Sequence, residues 1–324
     1  MEIILSGGIL LAAAIIIGGG LLLYFGAERF ISGSSAIAIK LGMTPLIIGL
    51  TIVAFGTGSP ELIVGVSAAI KGRPGIAIGN IIGANIANIL LILGVSSLIK
   101  PIRCSLKVIK VDIVMMIVVT LFFCNLLIDG LITRADGIML LVGVVAYYTF
   151  TITMSIKNKD KEQAGVYQKI ISKTKGNLRI DLLFIIGGIG LLVIGAEIFL
   201  SGILKIADTF HVNDTLLGLS IVAVGTSLPE LAASIVASIK NYGEISIGNA
   251  ISSNIFNILG IIGIAALIKP IDTKGVDIFD IVVLACSSII ILPLAWTKQT
   301  LSRLEGAFLL MSYIAYFYYL ITKY

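Results

Sequence analysis

Apolar residues do not alternate with polar ones along this chain; they run together in long blocks. Ten blocks stand out, at roughly 3–27, 43–70, 77–99, 108–128, 133–155, 181–203, 213–239, 246–268, 278–296 and 303–321. Each approaches or exceeds the roughly 20 residues that a helix needs to cross a bilayer. The polar positions collect in short joints and in one longer segment, KNKDKEQAGVYQKIISKTKGNLR, residues 157–179. That segment is too short for a domain and reads as a loop, with a short amphipathic helix around Tyr167 to Ile171. The first block has only Met1 and Glu2 before it and no basic n-region, so it is expected to be a retained span rather than a cleaved signal.

The blocks come in two matching sets. GLTIVAFGTGSPE, Gly49 to Glu61, recurs as GLSIVAVGTSLPE, Gly218 to Glu230, and GNIIGANIAN, Gly79 to Asn88, recurs as GNAISSNIFN, Gly248 to Asn257. Residues 49–88 and 218–257 share 21 of 40 positions without a gap, at a constant offset of 169. The same offset relates Gly26-Ala27-Glu28 to Gly195-Ala196-Glu197, Lys100-Pro101-Ile102 to Lys269-Pro270-Ile271, and Asp136-Gly137 to Glu305-Gly306. This is an internal repeat, with units of five spans at residues 1–155 and 181–324 joined by the loop 156–180.

Five is an odd number, so the second unit enters the membrane upside down relative to the first. The expected fold is an all-α polytopic membrane protein, ten transmembrane helices in two inverted-topology repeats, with broken helices at the midplane. With the central loop cytoplasmic and both termini outside, 16 of the 23 basic residues fall on the inner side. That direction agrees with the positive-inside rule.

Composition fits a membrane solvent. Hydrophobic residues are 58% and charged residues 13% of 324, where soluble chains carry about a quarter charged residues. The net charge of +5 comes largely from the loop and is no nucleic-acid signal. Cys104, Cys124 and Cys286 lie apart, without metal-site spacing or disulfide density, and read as packing residues. No cofactor, nucleotide loop, histidine cluster or nucleophile triad is legible, and enzyme chemistry has no support. A monomer holds every candidate ligand, so no obligate protein partner is implied. His211, beside Asn213 and Asp214, reads as a surface residue, and Tyr147, Tyr148 and the Tyr313–Tyr319 cluster read as an aromatic belt.

The two signatures carry the candidate chemistry. Pro60 cannot donate to the Gly56 carbonyl and disfavours helix at Ser59; with Gly58 between, a break is expected, mirrored by Gly225 and Pro229. Carbonyls near Ala54 and Thr57, and near Ala223 and Thr226, become candidate oxygen ligands. Glu61 and Glu230 sit midway along their spans, where a carboxylate costs several kcal/mol unless paired, neutralised or solvated. No Lys or Arg stands at comparable depth, so the two acids need protons or bound cations. Ca²⁺ takes about six to eight oxygens, which two carboxylates with carbonyls and hydroxyls can supply. Asn80, Ala84 and Asn88 lie along one helical face, as do Asn249, Ser253 and Asn257, with Asn85 and Asn254 on an adjacent face. Buried amides there must be hydrogen-bonded or ligating. Gly79, Gly83, Ala84, Gly248, Ser252 and Ser253 permit close helix approach.

Blander readings stand beside these. A single GTxxPE can be a kink capped by its Glu, although two copies followed by matching amide faces argue against that. Asn85 and Asn254 are equally readable as helix–helix glue and as site lining. Glu28 and Glu197 read as interfacial salt-bridge or capping residues, or as gate residues. Asp112 reads as paired with a nearby Lys or with interfacial water.

The paired motifs, GTGSPE at 56–61, GTSLPE at 225–230 and the two GNxxxxNxxN stretches, resemble the alpha repeats of the cation/calcium antiporter superfamily. The chain is most similar to prokaryotic, especially archaeal, sodium/calcium exchangers over essentially its whole length. The resemblance implies electrogenic exchange of several Na⁺ for one Ca²⁺ by alternating access in the cell membrane, with spans one and six sliding across the other eight. It further implies that Glu61 and Glu230 bind both ions, that Thr57 and Thr226 contribute backbone and hydroxyl oxygens, and that Ala54 and Ala223 contribute carbonyls. Ser227 and Ser253 match Na⁺ ligands, and Asn88 and Asn257 match the central polar pair. Three positions depart from the family pattern. Gly58 and Ala84 replace frequent serines, and Asn257 replaces a frequent acid. A Ca²⁺/H⁺ antiporter on the same scaffold is the alternative.

Overall fold

The computed structural model describes residues 2–40, 49–70, 74–157, 178–209, 222–273 and 276–323. Most of the basic loop, with its short helix at 167–171, and His211, Asn213 and Asp214 lie outside the described residues. The described residues are almost wholly helical, because an apolar backbone in hydrocarbon must satisfy its own polar groups.

The first half runs α1 (Glu2–Lys40), α2 (Gly49–Thr57), α3 (Ser59–Ile70), α4 (74–99), β1 (Ile102–Arg103), α5 (Val108–Ile128), β2 (Leu131–Ile132) and α6 (Arg134–Lys157). The second runs α7 (Leu178–Thr209), α8 (Val222–Thr226), α9 (Leu228–Ile239), α10 (Gly243–Ile268), β3 (Ile271–Asp272), α11 (Ile278–Trp296), β4 (Thr300–Leu301) and α12 (Arg303–Lys323). Seven described helices are long and apolar enough to span a membrane, and α2 with α3, bent by 55°, makes an eighth. The remaining two expected spans correspond to the 24-residue α6 and to the short pair α8 and α9. The fold is that of an all-α, multi-pass membrane protein.

Two expected boundaries move outward. The first span was expected to end at residue 27, but α1 continues to Lys40, and α7 extends from Leu178 to Thr209 instead of 181–203. Neither stretch holds a proline, and the polar groups after Gly26 and Gly195 do not interrupt the helical ladder. At 39 residues α1 is about 58 Å long, well beyond the hydrocarbon thickness.

The amide-bearing helices form the centre. In the hydrophobic windows of α4 and α10, 78% and 83% of residues are buried, against 28% in α1 and 22% in α7. The apolar core joins α4, α5, α10, α11 and α12, while a second cluster fills the space among α1, α7 and α9. The peripheral pair is held by glycines seven residues apart, Gly19, Gly26 and Gly33 on α1 and Gly188, Gly195 and Gly202 on α7. A Cβ on Gly19 would lie 2.5 Å from the Phe199 backbone nitrogen, and one on Gly188 would lie 2.6 Å from that of Phe30. Helix axes this close leave no room for a side chain. Gly188→Leu is therefore expected to separate α1 from α7 and lower thermal stability by about 1–3 kcal/mol. Thermal unfolding of the purified protein in detergent checks it.

Contacts recur at the 169-residue offset. Strand β1 pairs antiparallel with β4, and β2 with β3. Because Ile102 corresponds to Ile271 and Leu131 to Thr300, exchanging the halves converts one ribbon into the other. Likewise Gly94 packs on Gly306 and Leu310 of α12, and Gly263 on Gly137 and Leu141 of α6.

Several polar expectations are corrected. Tyr147 is buried, and the Tyr148 hydroxyl meets the Ser252 hydroxyl at 3.3 Å inside the bundle, so these two are not belt residues. Their helix turns that face toward α10 instead of lipid. Asp112 is buried, with no described Lys within ion-pair distance, and Lys107 acts on its carboxylate only at longer range. Helix α5 turns this carboxylate inward. Glu28 does form the interfacial salt bridge, with Lys240 at 3.3 Å. Cys104 and Cys124 are buried and Cys286 is exposed, all as free thiols.

Candidate functional site

The two breaks fall at equivalent residues with the same backbone. Gly58 ends α2 at φ −75°, ψ 5°, and Ser227 precedes α9 at φ −85°, ψ 5°. Neither needs a positive φ, which is why serine can stand where the other copy has glycine. Hydrogen bonding continues around each kink. The Gly58 amide donates to the Ala54 carbonyl at 3.0 Å and Leu62 to Gly58 at 3.1 Å; Ser227 donates to Ala223 at 3.3 Å and Leu231 to Ser227 at 3.0 Å. This corrects the expectation of freed carbonyls at Ala54 and Ala223. Each accepts one backbone N–H and keeps a second lone pair.

The breaks place Pro60 and Pro229 in the first turns of α3 and α9, where a missing N–H is harmless. Glu61 and Glu230 follow directly, 1% and 2% exposed. The Ser227 hydroxyl donates to Glu61 Oε1 at 3.2 Å, across the halves. Thr226 also stands beside Glu61, Thr57 stands beside Glu230, and the two carboxylates lie within electrostatic reach of each other. Neither has a Lys or Arg within ion-pair distance among the described residues.

The threonines reach across to the amide helices. Thr226 Oγ1 lies 3.0 Å from Asn80 Oδ1 and 3.1 Å from the Ala223 carbonyl. Its counterpart, Thr57 Oγ1, lies 3.0 Å from the Val53 carbonyl and 3.4 Å from Asn249 Oδ1. Ser253 Oγ is 3.5 Å from the same Asn249 oxygen. Both central helices widen into a π-turn starting at the inner asparagine, Asn88–Ile92 and Asn257–Ile262. Such bulges are frequent at functional sites.

Four asparagines form a closed set between α4 and α10. Asn88 Nδ2 donates to Asn254 Oδ1 at 2.9 Å, and Asn257 Nδ2 to Asn85 Oδ1 at 2.9 Å. Asn85 Nδ2 donates to the Asn254 carbonyl at 3.3 Å, and Asn254 Nδ2 to the Asn85 carbonyl at 3.2 Å. Asn85 and Asn254 thus join the two helices. By accepting from Asn88 and Asn257 they also fix which end of those amides stays unused. The unused ends are oxygens: Asn88 Oδ1 and Asn257 Oδ1 are buried without a hydrogen-bond partner, as are Glu61 Oε2, Glu230 Oε2 and Asn80 Nδ2. Four of these five orphaned atoms are acceptors, an arrangement that suits a cation.

Gly56, Gly58, Ala84 and Gly225 are buried in the same region. Gly58 and Ala84 offer no side-chain oxygen opposite Ser227 and Ser253. Among the described residues no cluster of three or more His, Cys, Asp or Glu exists, so a metal here would rest on two carboxylates plus neutral oxygens. A supporting layer escaped the sequence reading. Ser234 Oγ is 3.5 Å from Asn249 Nδ2, Ser246 donates to the Ser234 carbonyl at 2.9 Å, and Ser252 donates to the Leu50 carbonyl at 2.6 Å. Single serines in apolar helices carry no positional signal, whereas the spacing Ser234, Ser238 and Ser246 could have marked one polar seam.

Known proteins resemble this chain over nearly its whole length. The family described as sodium/calcium exchanger protein matches residues 11–153 and 180–322. A putative antiporter, CaxA, of Alkalimonas amylolytica is 37% identical over 93% of this chain and 96% of its own length. The sodium/calcium exchanger MaX1 of Methanosarcina acetivorans is 32% identical over 90% and 93% respectively. A solved structure of the sodium-calcium exchanger NCX_Mj, soaked with Na⁺ and Sr²⁺, superposes with a TM-score of 0.80 at 31% identity, covering 95% of this chain and 98% of that one.

Proposed function

The chain belongs to the sodium/calcium exchanger protein family and is a transporter, not an enzyme; from that premise we propose that it exchanges Na⁺ for Ca²⁺ by alternating access, with Glu61 and Glu230 as shared cation ligands. The observation that carries this reading is the set of buried, unpartnered acceptors, Glu61 Oε2, Glu230 Oε2, Asn88 Oδ1 and Asn257 Oδ1, with no basic side chain to neutralise the carboxylates. Two negative charges are balanced by one Ca²⁺ or two Na⁺, which makes the ions competitors for the same oxygens. Thr57, Thr226, Ser227 and Ser253 hydroxyls and the Ala54 and Ala223 carbonyls complete the neutral share. Asn80 and Asn249 hold the threonines, and Asn85 and Asn254 hold the inner amides.

The ten-span, inverted arrangement with units 1–155 and 181–324 belongs to the same proposal. The offset-related ribbons, glycine contacts and amide pairs support it, since equivalent contacts that interchange with the halves are what an inverted repeat produces. The cytoplasmic loop at 156–180 and the outward termini in the cell membrane rest on the bias of basic residues, 16 of 23 on the inner side, and the sufficiency of a monomer on all proposed ligands lying in one chain.

The test is Ca²⁺ uptake into sealed vesicles holding the purified protein. Uptake is expected to follow an outward Na⁺ gradient; uptake that ignores Na⁺ but follows a pH gradient would overturn the reading in favour of Ca²⁺/H⁺ antiport. The first half's missing hydroxyl gives a finer check. A Cβ on Gly58 would meet the Ala54 carbonyl at 3.0 Å and the Phe256 ring at 3.6 Å. Gly58→Ser is thus expected to fold and to raise apparent Na⁺ affinity by about two- to tenfold, one added ligand being worth on the order of 1 kcal/mol. Na⁺ dependence of Ca²⁺ release measures it.

A further inference from the structure

Outside the central site, one motif is duplicated and unexplained. Gly26-Ala27-Glu28-Arg29-Phe30-Ile31-Ser32-Gly33 on α1 recurs as Gly195-Ala196-Glu197-Ile198-Phe199-Leu200-Ser201-Gly202 on α7, which is GAExFxSG twice. The glycines and phenylalanines serve the α1–α7 contact. The glutamate and serine do not. They lie one turn apart on one helix face, and in the first copy both grip a single ammonium group. Lys240, at the end of α9, reaches Glu28 Oε1 at 3.3 Å and donates to Ser32 Oγ at 2.9 Å.

Among the described residues the second copy makes other contacts, and Lys71, which corresponds to Lys240 at the 169-residue offset, lies outside them. Glu197 is exposed, with no described cation within ion-pair distance, and the Ser201 hydroxyl donates to the Ile198 carbonyl of its own helix at 2.7 Å. The described contacts of the two motifs therefore differ, Ser32 accepting from an ammonium group and Ser201 donating to its own helix. The elements they join differ in kind as well. Helices α1 and α7 form a closely fitted, largely exposed pair, whereas α9 packs both on that pair, through the shared apolar cluster, and on the buried α10. Lys240 thus ties the peripheral pair to the inner bundle at one end.

We propose that Glu28, Ser32 and Lys240 form a latch that holds α1 against α9 in one of two transport states and opens in the other. The inference rests on the alternating-access reading, since a latch needs a second state to release into. The ion pair is partly exposed, with 29% of the Lys240 side chain and 36% of the Glu28 side chain accessible. An exposed pair contributes little to global stability. It biases an equilibrium between states by whatever it gains in only one of them.

Spin labels read the latch without reference to transport. They are placed at Phe25→Cys on α1 and Ile239→Cys on α9, with Cys286→Ser to remove the exposed thiol. Pulsed dipolar spectroscopy on the protein in lipid nanodiscs is expected to show two separations, whose weights change between saturating Ca²⁺ and saturating Na⁺. Lys240→Gln is expected to shift weight toward the longer separation by about three- to fivefold, the range an exposed ion pair supports. Ser32→Ala shifts it less. The exchange Glu28→Lys with Lys240→Glu returns the weights toward those of the parent. A single separation in both ions, or weights indifferent to Lys240→Gln in folded protein, overturns the latch. Separations that respond as described while Ca²⁺ uptake ignores Na⁺ sustain the latch and remove only the Na⁺ assignment.

Discussion

Glutamine in place of Glu61 or of Glu230 is expected to lower Ca²⁺ uptake by about a hundredfold or more, while the protein folds and inserts. The substitution keeps the side-chain volume and one oxygen but removes a negative charge and turns the other oxygen into a donor. Leaving a buried ion without its counter-charge costs about 3–5 kcal/mol, which is roughly two to four decades in affinity. Folding is expected to be spared because each carboxylate already keeps a buried oxygen without a hydrogen-bond partner. Such a group is a burden on the fold that glutamine lightens. In Ca²⁺-free buffer the variants are expected to melt at or above the parent temperature, and the stabilisation that saturating Ca²⁺ gives the parent is expected to vanish. Uptake at parent levels by either variant would remove that residue from the site.

The second large effect belongs to a residue placed beside the ligands. Asn254 accepts from Asn88 Nδ2 at 2.9 Å, donates to the Asn85 carbonyl at 3.2 Å and faces Met116 Sδ at 3.8 Å. Asn254→Leu leaves the Asn88 amide free to rotate and a buried carbonyl unpaired, at a cost of about 1–3 kcal/mol. For a chain of this size that is a fall of roughly 1–5 °C in Tm. Apparent Ca²⁺ affinity is expected to weaken by about ten- to a hundredfold, since the Asn88 oxygen is no longer aimed. A variant that melts lower but binds Ca²⁺ like the parent would make Asn254 a structural residue alone. Asn85→Leu is its mirror, acting through Asn257.

How much of this was legible depended on whether the signal was local. The acids could be read because a carboxylate midway along an apolar run has no cheap explanation, and the copy at 230 removed the remaining one. The breaks were legible from Pro60 and Pro229. Their form was not, because whether a proline bends a helix or unwinds it is decided by the i→i−4 bonds that neighbours retain, here Gly58 to Ala54 and Ser227 to Ala223. The division of labour among asparagines was equally hidden. Asn85 and Asn88 differ in sequence only by three positions, and their roles separate only when α10 supplies Asn254 and Asn257. Tyr148 looked like a belt residue because it sits toward one end of its run; its direction is set by Ser252, 104 residues away. Helix α1 was cut short because Glu28 and Arg29 resemble a membrane exit, whereas the helix continues past them, with Glu28 meeting Lys240 and Arg29 lying over the Phe184 ring.

The two ribbons set a timetable for the chain's biogenesis. Strand β1 waits for β4, nearly 200 residues downstream, and Asn85 waits for Asn254, 169 residues downstream. At a synthesis rate of roughly 5–20 residues per second, the amides of α4 stay without their partners for on the order of ten to thirty seconds after they enter the membrane. During that interval the first half is an incomplete object with polar groups facing lipid or the insertion machinery. A chain truncated after α6 is therefore a substrate for quality control, and a stall in the basic loop is the point at which that exposure would be prolonged.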